Sequence, residues 1–192
     1  MKYLRIIFVF LLIVLACWKI ATAGYIHVKA YVAQQLLVSA WDKTLQGNQK
    51  VKPWSWSDSW PVARMQVPVH HKDLIILAGD SGRNLAFAPG HRLSSAKPGE
   101  PGLSMISAHR DTHFSFLKNL QLGEEILITT EQNKTVSYKV SLLKVVHQSN
   151  VKINTSASKK ALVLITCYPF DSVYPQTEYR YLVYAQQKKE SL

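Results

Sequence analysis

Cysteine is nearly missing from this chain: there are two among 192 residues, Cys17 and Cys167. Two thiols can neither staple a disulfide-rich mini-domain nor supply a four-thiolate zinc site. Acidic residues are scarce too, with 12 Asp and Glu against 23 Lys and Arg, for a formal net charge of +11. That imbalance invites a nucleic-acid reading, but charge alone names no partner until its distribution is known. Internal repeats and low-complexity tracts are absent. With 47% hydrophobic, 18% charged and 10% aromatic residues, the composition excludes a disordered or collagen-like chain. The length suits one ordinary domain and a small extra segment.

The extra segment lies at the start. Lys2 and Arg5 precede an unbroken apolar run, Ile6 to Trp18, which Lys19 closes. Those thirteen residues are short of the roughly 20 that cross a bilayer as a helix. Extension from Leu4 to about Ile26 reaches that length if Lys19 snorkels toward the headgroups. Residues 1–26 therefore read as a signal anchor, and the leading basic residues predict a cytoplasmic N-terminus. The competing reading is a cleaved signal peptide, for which Ala21-Thr22-Ala23 has the small-x-small form. Lys19, between the apolar run and that cut, argues for the anchor. Either reading places the folded part outside the cytoplasm. As an anchored protein it would be a single-pass protein of the cytoplasmic membrane with its domain on the outer side, the periplasm in a Gram-negative cell.

Export changes the meaning of the cysteines. Cys17 falls inside the apolar segment as a packing residue, which leaves Cys167 as the lone thiol of the exported region. An oxidising compartment pairs thiols, and this one has no partner within the chain. It is either a buried structural cysteine or a nucleophile.

Residues 27–60 read as an amphipathic helix and a Trp-rich connector. Val28, Val32, Leu36, Leu37, Ala40 and Trp41 approximate a helical period, and Gly47-Asn48 ends it. Trp54, Trp56 and Trp60 are expected to pack on the domain rather than form an interfacial belt. From Pro61 onward, residues 61–192 have the texture of short strands and turns. Candidate strands are Val62–Val67, Leu74–Ala78, Leu103–Ala108, Glu125–Thr130, Thr135–Val146, Ala161–Thr166 and Arg180–Ala185, with Asn84–Ala88 a short helix or irregular piece. A set of about seven or eight strands with few short helices predicts a mainly-β fold closed into a barrel, which removes exposed sheet edges.

Three strand ends carry candidate chemistry. Ser107-Ala108-His109-Arg110-Asp111-Thr112-His113-Phe114 ends one, Leu162 to Phe170 ends another around Cys167, and Arg180 to Ala185 begins a third. As a thiolate, Cys167 can attack an acyl carbon and form a thioester. A histidine would protonate the leaving amine and then deprotonate an incoming one. Arg180 could steady the oxyanion or the substrate.

These segments resemble the sortases, membrane-anchored cysteine transpeptidases that cleave a Leu-Pro-x-Thr-Gly-type sorting signal. The family's Thr-Leu-x-Thr-Cys signature is similar to Val163-Leu164-Ile165-Thr166-Cys167, with Val163 in place of the first Thr. The resemblance implies a sortase-type β-barrel, His109 as catalytic histidine, Cys167 as nucleophile and Arg180 as essential arginine, with no cofactor. It extends over Gly82 to His91 and the order His, Cys, Arg. His109-Arg110-Asp111-Thr112-His113-Phe114 and Cys167-Tyr168-Pro169-Phe170 are most similar to the proteobacterial subgroup. The implied partners are an exported protein with a C-terminal sorting signal and an amine acceptor.

Plainer readings stand beside these. Asp111 either orients His109, pairs with Arg110 or is a solvated loop carboxylate. Thr166 either lines the site or packs in its strand. His113 is a rival to His109, and the pair has the spacing of metal ligands on a helix, but no helical pattern surrounds it and no metal is assigned. No acidic cluster suggests the calcium site of some relatives. His70, His71, His91 and His147 read as structural or exposed.

Removing Lys2, Arg5 and Lys19 from the count leaves 20 basic against 12 acidic residues. The basic residues from Lys134 to Lys160 are dispersed and lack an aromatic nucleic-acid signature, so no nucleic-acid partner is expected. An anionic membrane surface or envelope polymer suits them better. That leaves a second function class, a non-catalytic membrane-tethered basic β-domain binding an envelope polymer or protein. A third, an L,D-transpeptidase, lacks its Ser/Thr-His-Gly-Cys segment around Cys167.

Overall fold

The computed structural model describes residues 2–151, 160–174 and 177–188. Part of the basic stretch between Lys134 and Lys160, residues 152–159, lies outside the described residues. The chain divides into two compact units, Met1–Leu36 and Leu37–Leu192.

The first unit is helical. Proline is absent from residues 2–45, and the helix α1 runs unbroken over Lys2–Leu45. Gly24 costs about 1 kcal/mol relative to alanine without interrupting it. Within α1, Arg5–Thr22 has a mean hydropathy of 2.2 over 18 residues, long and apolar enough to cross a membrane. Cys17 is exposed on this helix.

The expected amphipathic face is only partly present. Val28, Val32 and Leu36 are exposed. The face begins with the second unit, where Leu37, Ala40, Trp41 and Thr44 are buried at helical spacing. Gly47, with a φ of 94°, terminates α1, and its N–H donates to the Thr44 carbonyl at 3.0 Å.

Leu37 and Trp41 pack with Ile75, Leu77 and Ala88. The connector from 46 to 60 contains no helix or strand. It is tied to the barrel through Ser59, whose buried hydroxyl donates to the Ala78 carbonyl at 2.6 Å. Trp54 lies against Phe87 with ring centroids 4.8 Å apart. Trp56 departs from the packing expectation and is 77% exposed.

Eight strands follow: β1 (Pro61–Val67), β2 (Lys72–Ala78), β3 (Gly90–His91), β4 (Gly102–Ser107), β5 (Glu125–Thr130), β6 (Thr135–His147), β7 (Lys160–Tyr168) and β8 (Tyr179–Gln187). A single helical turn, α2 (Gly82–Leu85), precedes β3. The strands close into a barrel in the order β1-β2-β3-β4-β7-β8-β6-β5, the architecture expected from the strand pattern. Most neighbours are antiparallel. β2 with β3 and β4 with β7 are parallel.

Burial explains the strand sequences. β1 alternates buried and half-buried residues, the period-two signature of one inward face. The interior holds Met65, Ile76, Ile106, Ile126, Leu164 and Val183. β4 and β7 are apolar on both faces because Leu103, Met105, Val163, Ile165 and Leu182 form a second cluster outside the barrel wall.

Candidate active site

Register decides which reactive side chains share a face. Along β7, Leu162 and Leu164 belong to the barrel interior, whereas Val163 and Ile165 belong to the outer cluster. Two-residue alternation then puts Thr166 inside and Cys167 outside. Thr166 is buried and Cys167 half-buried. Cys167 lies directly opposite Arg180 on β8, so these two side chains project from the same outer face.

β4 completes the arrangement. It runs parallel to β7 with Ser107 beside Ile165. Ala108 turns into the interior core, and His109 follows, exposed. Two hydrogen bonds fasten the strands just before their reactive residues. The Ala108 N–H donates to the Ile165 carbonyl at 3.1 Å, and the Thr166 hydroxyl donates to the Ala108 carbonyl at 2.7 Å. His109 thus follows the end of β4 and Cys167 lies near the end of the neighbouring β7, with Arg180 across from it on β8. Thr166 holds the backbone of the first two together from inside.

The Arg180 guanidinium is extensively engaged. Its Nη1 donates to the carbonyls of Thr177 at 2.6 Å and Tyr179 at 2.9 Å. Its Nη2 donates to Gln148 Oε1 at 2.8 Å. Nε and one Nη2 hydrogen remain outside these bonds.

Other expected residues part company. Asp111 is exposed and makes no hydrogen bond or ion pair among the described residues. It does not pair with Arg110, which points instead into the β7–β8 connection. His113 is half-buried, and burial holds its imidazole below the ordinary histidine value, with the nearby His109 and Lys72 adding to the effect. Among the described residues no three His, Cys, Asp or Glu side chains are grouped to hold a metal ion.

The remaining histidines have structural surroundings. His91 is 2% exposed, with Nε2 at 2.9 Å from the Ala96 carbonyl and 3.1 Å from Ser95 Oγ. Burial lowers its pKa. His70 pairs with Glu124 at 2.7 Å, and His147 contacts Ser149 at 2.7 Å.

Three residues beside the site escaped the sequence reading: Arg110, Gln148 and Thr177. The bonds that join Arg110 to Thr177 and Gln148 to Arg180 span 67 and 32 positions, and no local pattern announces them. The solitary arginine directly after His109 was the only available signal.

Comparison with known proteins adds a family to this geometry. The model of the Sortase domain matches residues 65–188. Sortase D of Bacillus subtilis is 29% identical over 123 residues, which are 64% of this chain and 61% of that protein. The chain therefore spans less than two thirds of the length of this curated relative. The structure of sortase A from Corynebacterium diphtheriae has a TM-score of 0.63 at 26% identity, covering 77% of this chain and 69% of that one. Sortase C from Clostridium perfringens, solved with the C-terminal cell wall sorting motif, has a TM-score of 0.61 at 22% identity. It covers 83% of this chain and 89% of its own, a likeness of fold.

Proposed function

The chain belongs to the sortase family, and on that premise we propose that it is a membrane-anchored cysteine transpeptidase acting on an LPxTG-like C-terminal sorting signal. The observation that supports this reading is the register of β7 and β8, which pairs Cys167 with Arg180, together with the bond from Thr166 to the Ala108 carbonyl, one residue before His109.

In the proposed reaction the Cys167 sulfur attacks the carbonyl carbon after the Thr of the signal. Arg180 steadies the developing oxyanion or the signal itself with its remaining donors. His109 gives a proton to the leaving amine as the C–N bond breaks, and a thioester remains on Cys167. An incoming amine then loses its proton to His109, forms a new amide bond and releases the sulfur. Water in place of the amine gives hydrolysis as a side reaction. Thr166 supports the site by bonding the His109 strand to the Cys167 strand. Asp111, exposed and without a partner among the described residues, has no comparable support.

Residues 1–26 are assigned as the signal anchor, 27–60 as helix and connector, and 61–192 as the catalytic barrel domain. Arg5–Thr22 supports the first assignment, and the leading Lys2 and Arg5 support a domain on the outer side of the cytoplasmic membrane. The substrate partner is an exported protein ending in a sorting signal, a reading supported by the sortase C structure with the C-terminal cell wall sorting motif. Placement in the proteobacterial subgroup rests on the segments around His109 and Cys167 alone and gains nothing from the sortases D, A and C that match.

Mass spectrometry of the full chain in detergent, incubated with sorting peptides and an amine, tests the proposal. A covalent acyl adduct that disappears in Cys167→Ala is the expected outcome. His109→Ala and Arg180→Ala should each lower turnover at least about 100-fold, the scale of one acid–base or oxyanion group. A signal library that never yields an adduct would favour the non-catalytic envelope-binding reading.

A further inference from the structure

Arg110 is 8% exposed, and such a charge is costly to bury unless its donors are satisfied. All its partners among the described residues are neutral oxygens of the β7–β8 connection. Nη1 donates to Thr177 Oγ1 at 3.3 Å. Nη2 donates to the carbonyls of Ser172, at 3.0 Å, and of Tyr174. No carboxylate draws the guanidinium there. It is held by the position of the loop, and it holds that position in return.

The same loop joins Cys167 to Arg180. Thr177 receives both arginines, with Arg110 donating to its hydroxyl and Arg180 to its carbonyl at 2.6 Å. A continuous path therefore runs from the residue next to His109, through Thr177, to the guanidinium of Arg180, the residue paired with Cys167 across the sheet. Arg110 touches none of the reacting groups itself. Lysine would not reproduce it, because one ammonium lacks the planar fork that spans separated acceptors.

We propose that Arg110 is a positioning residue: it clamps the β7–β8 connection and, through Thr177, fixes the guanidinium of Arg180 on the strand beside Cys167. This rests on the transpeptidase reading for its catalytic consequence but not for the clamp. While Arg110 is in place, the backbone of Ser172–Tyr174 faces inward to its donors. The side chains of Val173 and Tyr174, 90% and 73% exposed, are turned out to solvent.

Two measurements on the full chain in detergent test it. The first is amide hydrogen exchange, which needs no substrate. Arg110→Met and Arg110→Lys should speed exchange about tenfold or more in peptides covering Ser172–Tyr174 and Thr177–Tyr179, with β1 and β5 unchanged. Unchanged exchange in the loop, or acceleration spread evenly over the barrel, would overturn the clamp. The second is kinetic. Arg110→Met should lower kcat about 10- to 100-fold with little change in KM, and Thr177→Val should reproduce part of that loss. In an Arg180→Ala background, adding Arg110→Met should cost less than about threefold, because the residue it positions is gone. Equal losses in both backgrounds would show that Arg110 does not act through Arg180. If the wild-type chain forms no Cys167-dependent adduct, the transpeptidase reading fails and the exchange result alone decides the clamp.

Discussion

Thr166 is the most informative single substitution. Its side chain is 2% exposed and its hydroxyl donates at 2.7 Å to a carbonyl on the neighbouring parallel strand. Valine keeps the shape and the β-branch while deleting the donor. The Ala108 carbonyl then loses that hydrogen bond in a place water does not readily reach. A buried polar group deprived of its partner costs about 1–3 kcal/mol. Thr166→Val should therefore lower the urea-unfolding free energy by about 2 kcal/mol, with an unchanged denaturant slope. Thr166→Ser keeps the bond and loses one methyl, which is worth about 0.8 kcal/mol in transfer. Serine should be the milder of the two in stability. In the adduct assay, run well below the unfolding midpoint, Thr166→Ser should retain most turnover. Thr166→Val should lose a larger share, since the bond sits one residue before both His109 and Cys167. A valine variant within about 0.5 kcal/mol of wild type and equally active would refute the claim that this bond holds the two strands in place.

Other expectations follow from packing and charge. Gly90 lies where β3 meets the β2–α2 turn, and a Cβ there would overlap the Gly79 carbonyl and come within 2.8 Å of Asp80 Cα. Gly90→Ala should destabilise by at least about 1–3 kcal/mol of overpacking, read by chemical denaturation. Trp41 is fully buried, so Trp41→Ala should cost about 3–5 kcal/mol and free the end of α1 to exchange faster. Burial holds His91 and His113 below the ordinary histidine value. The unfolded chain then binds those protons more readily, so stability is complete above about pH 6.5 and declines as pH falls through that value. His113→Asn should flatten the decline of the unfolding midpoint between pH 7 and 5.

Legibility in the sequence followed the range of the forces involved. The strands β1, β5 and β7 were readable because alternation or an apolar run is written in adjacent residues. The hairpin between β5 and β6 was readable from the Glu131–Lys134 turn. β3 was not, since two residues carry no period and its pairing depends on the absence of a side chain at Gly90. α1 was readable as two adjoining helical stretches, and it runs through Gly24, which costs too little to break it. At the site, Cys167 stood out as the unpaired thiol of the segment beyond the anchor. Its neighbour across the sheet could be named only through the family resemblance, because a register is a long-range property. The pairing of Arg110 with Asp111, one of three readings open for that carboxylate, does not occur, because the acceptors of Arg110 are loop oxygens at least 62 positions away.

The strand order also has a consequence for biosynthesis. β8, the last strand among the described residues, is flanked by β7 and β6. Until it is made, the barrel wall has a gap beside the nucleophile. A growing chain that has already exposed His109 and Cys167 still lacks Arg180 and the sheet that would present them together. Under the transpeptidase reading, the thiol is armed only once β8 is in place. Stalled or C-terminally clipped chains would carry it inert, which spares the envelope an enzyme that hydrolyses signals without holding them for transfer.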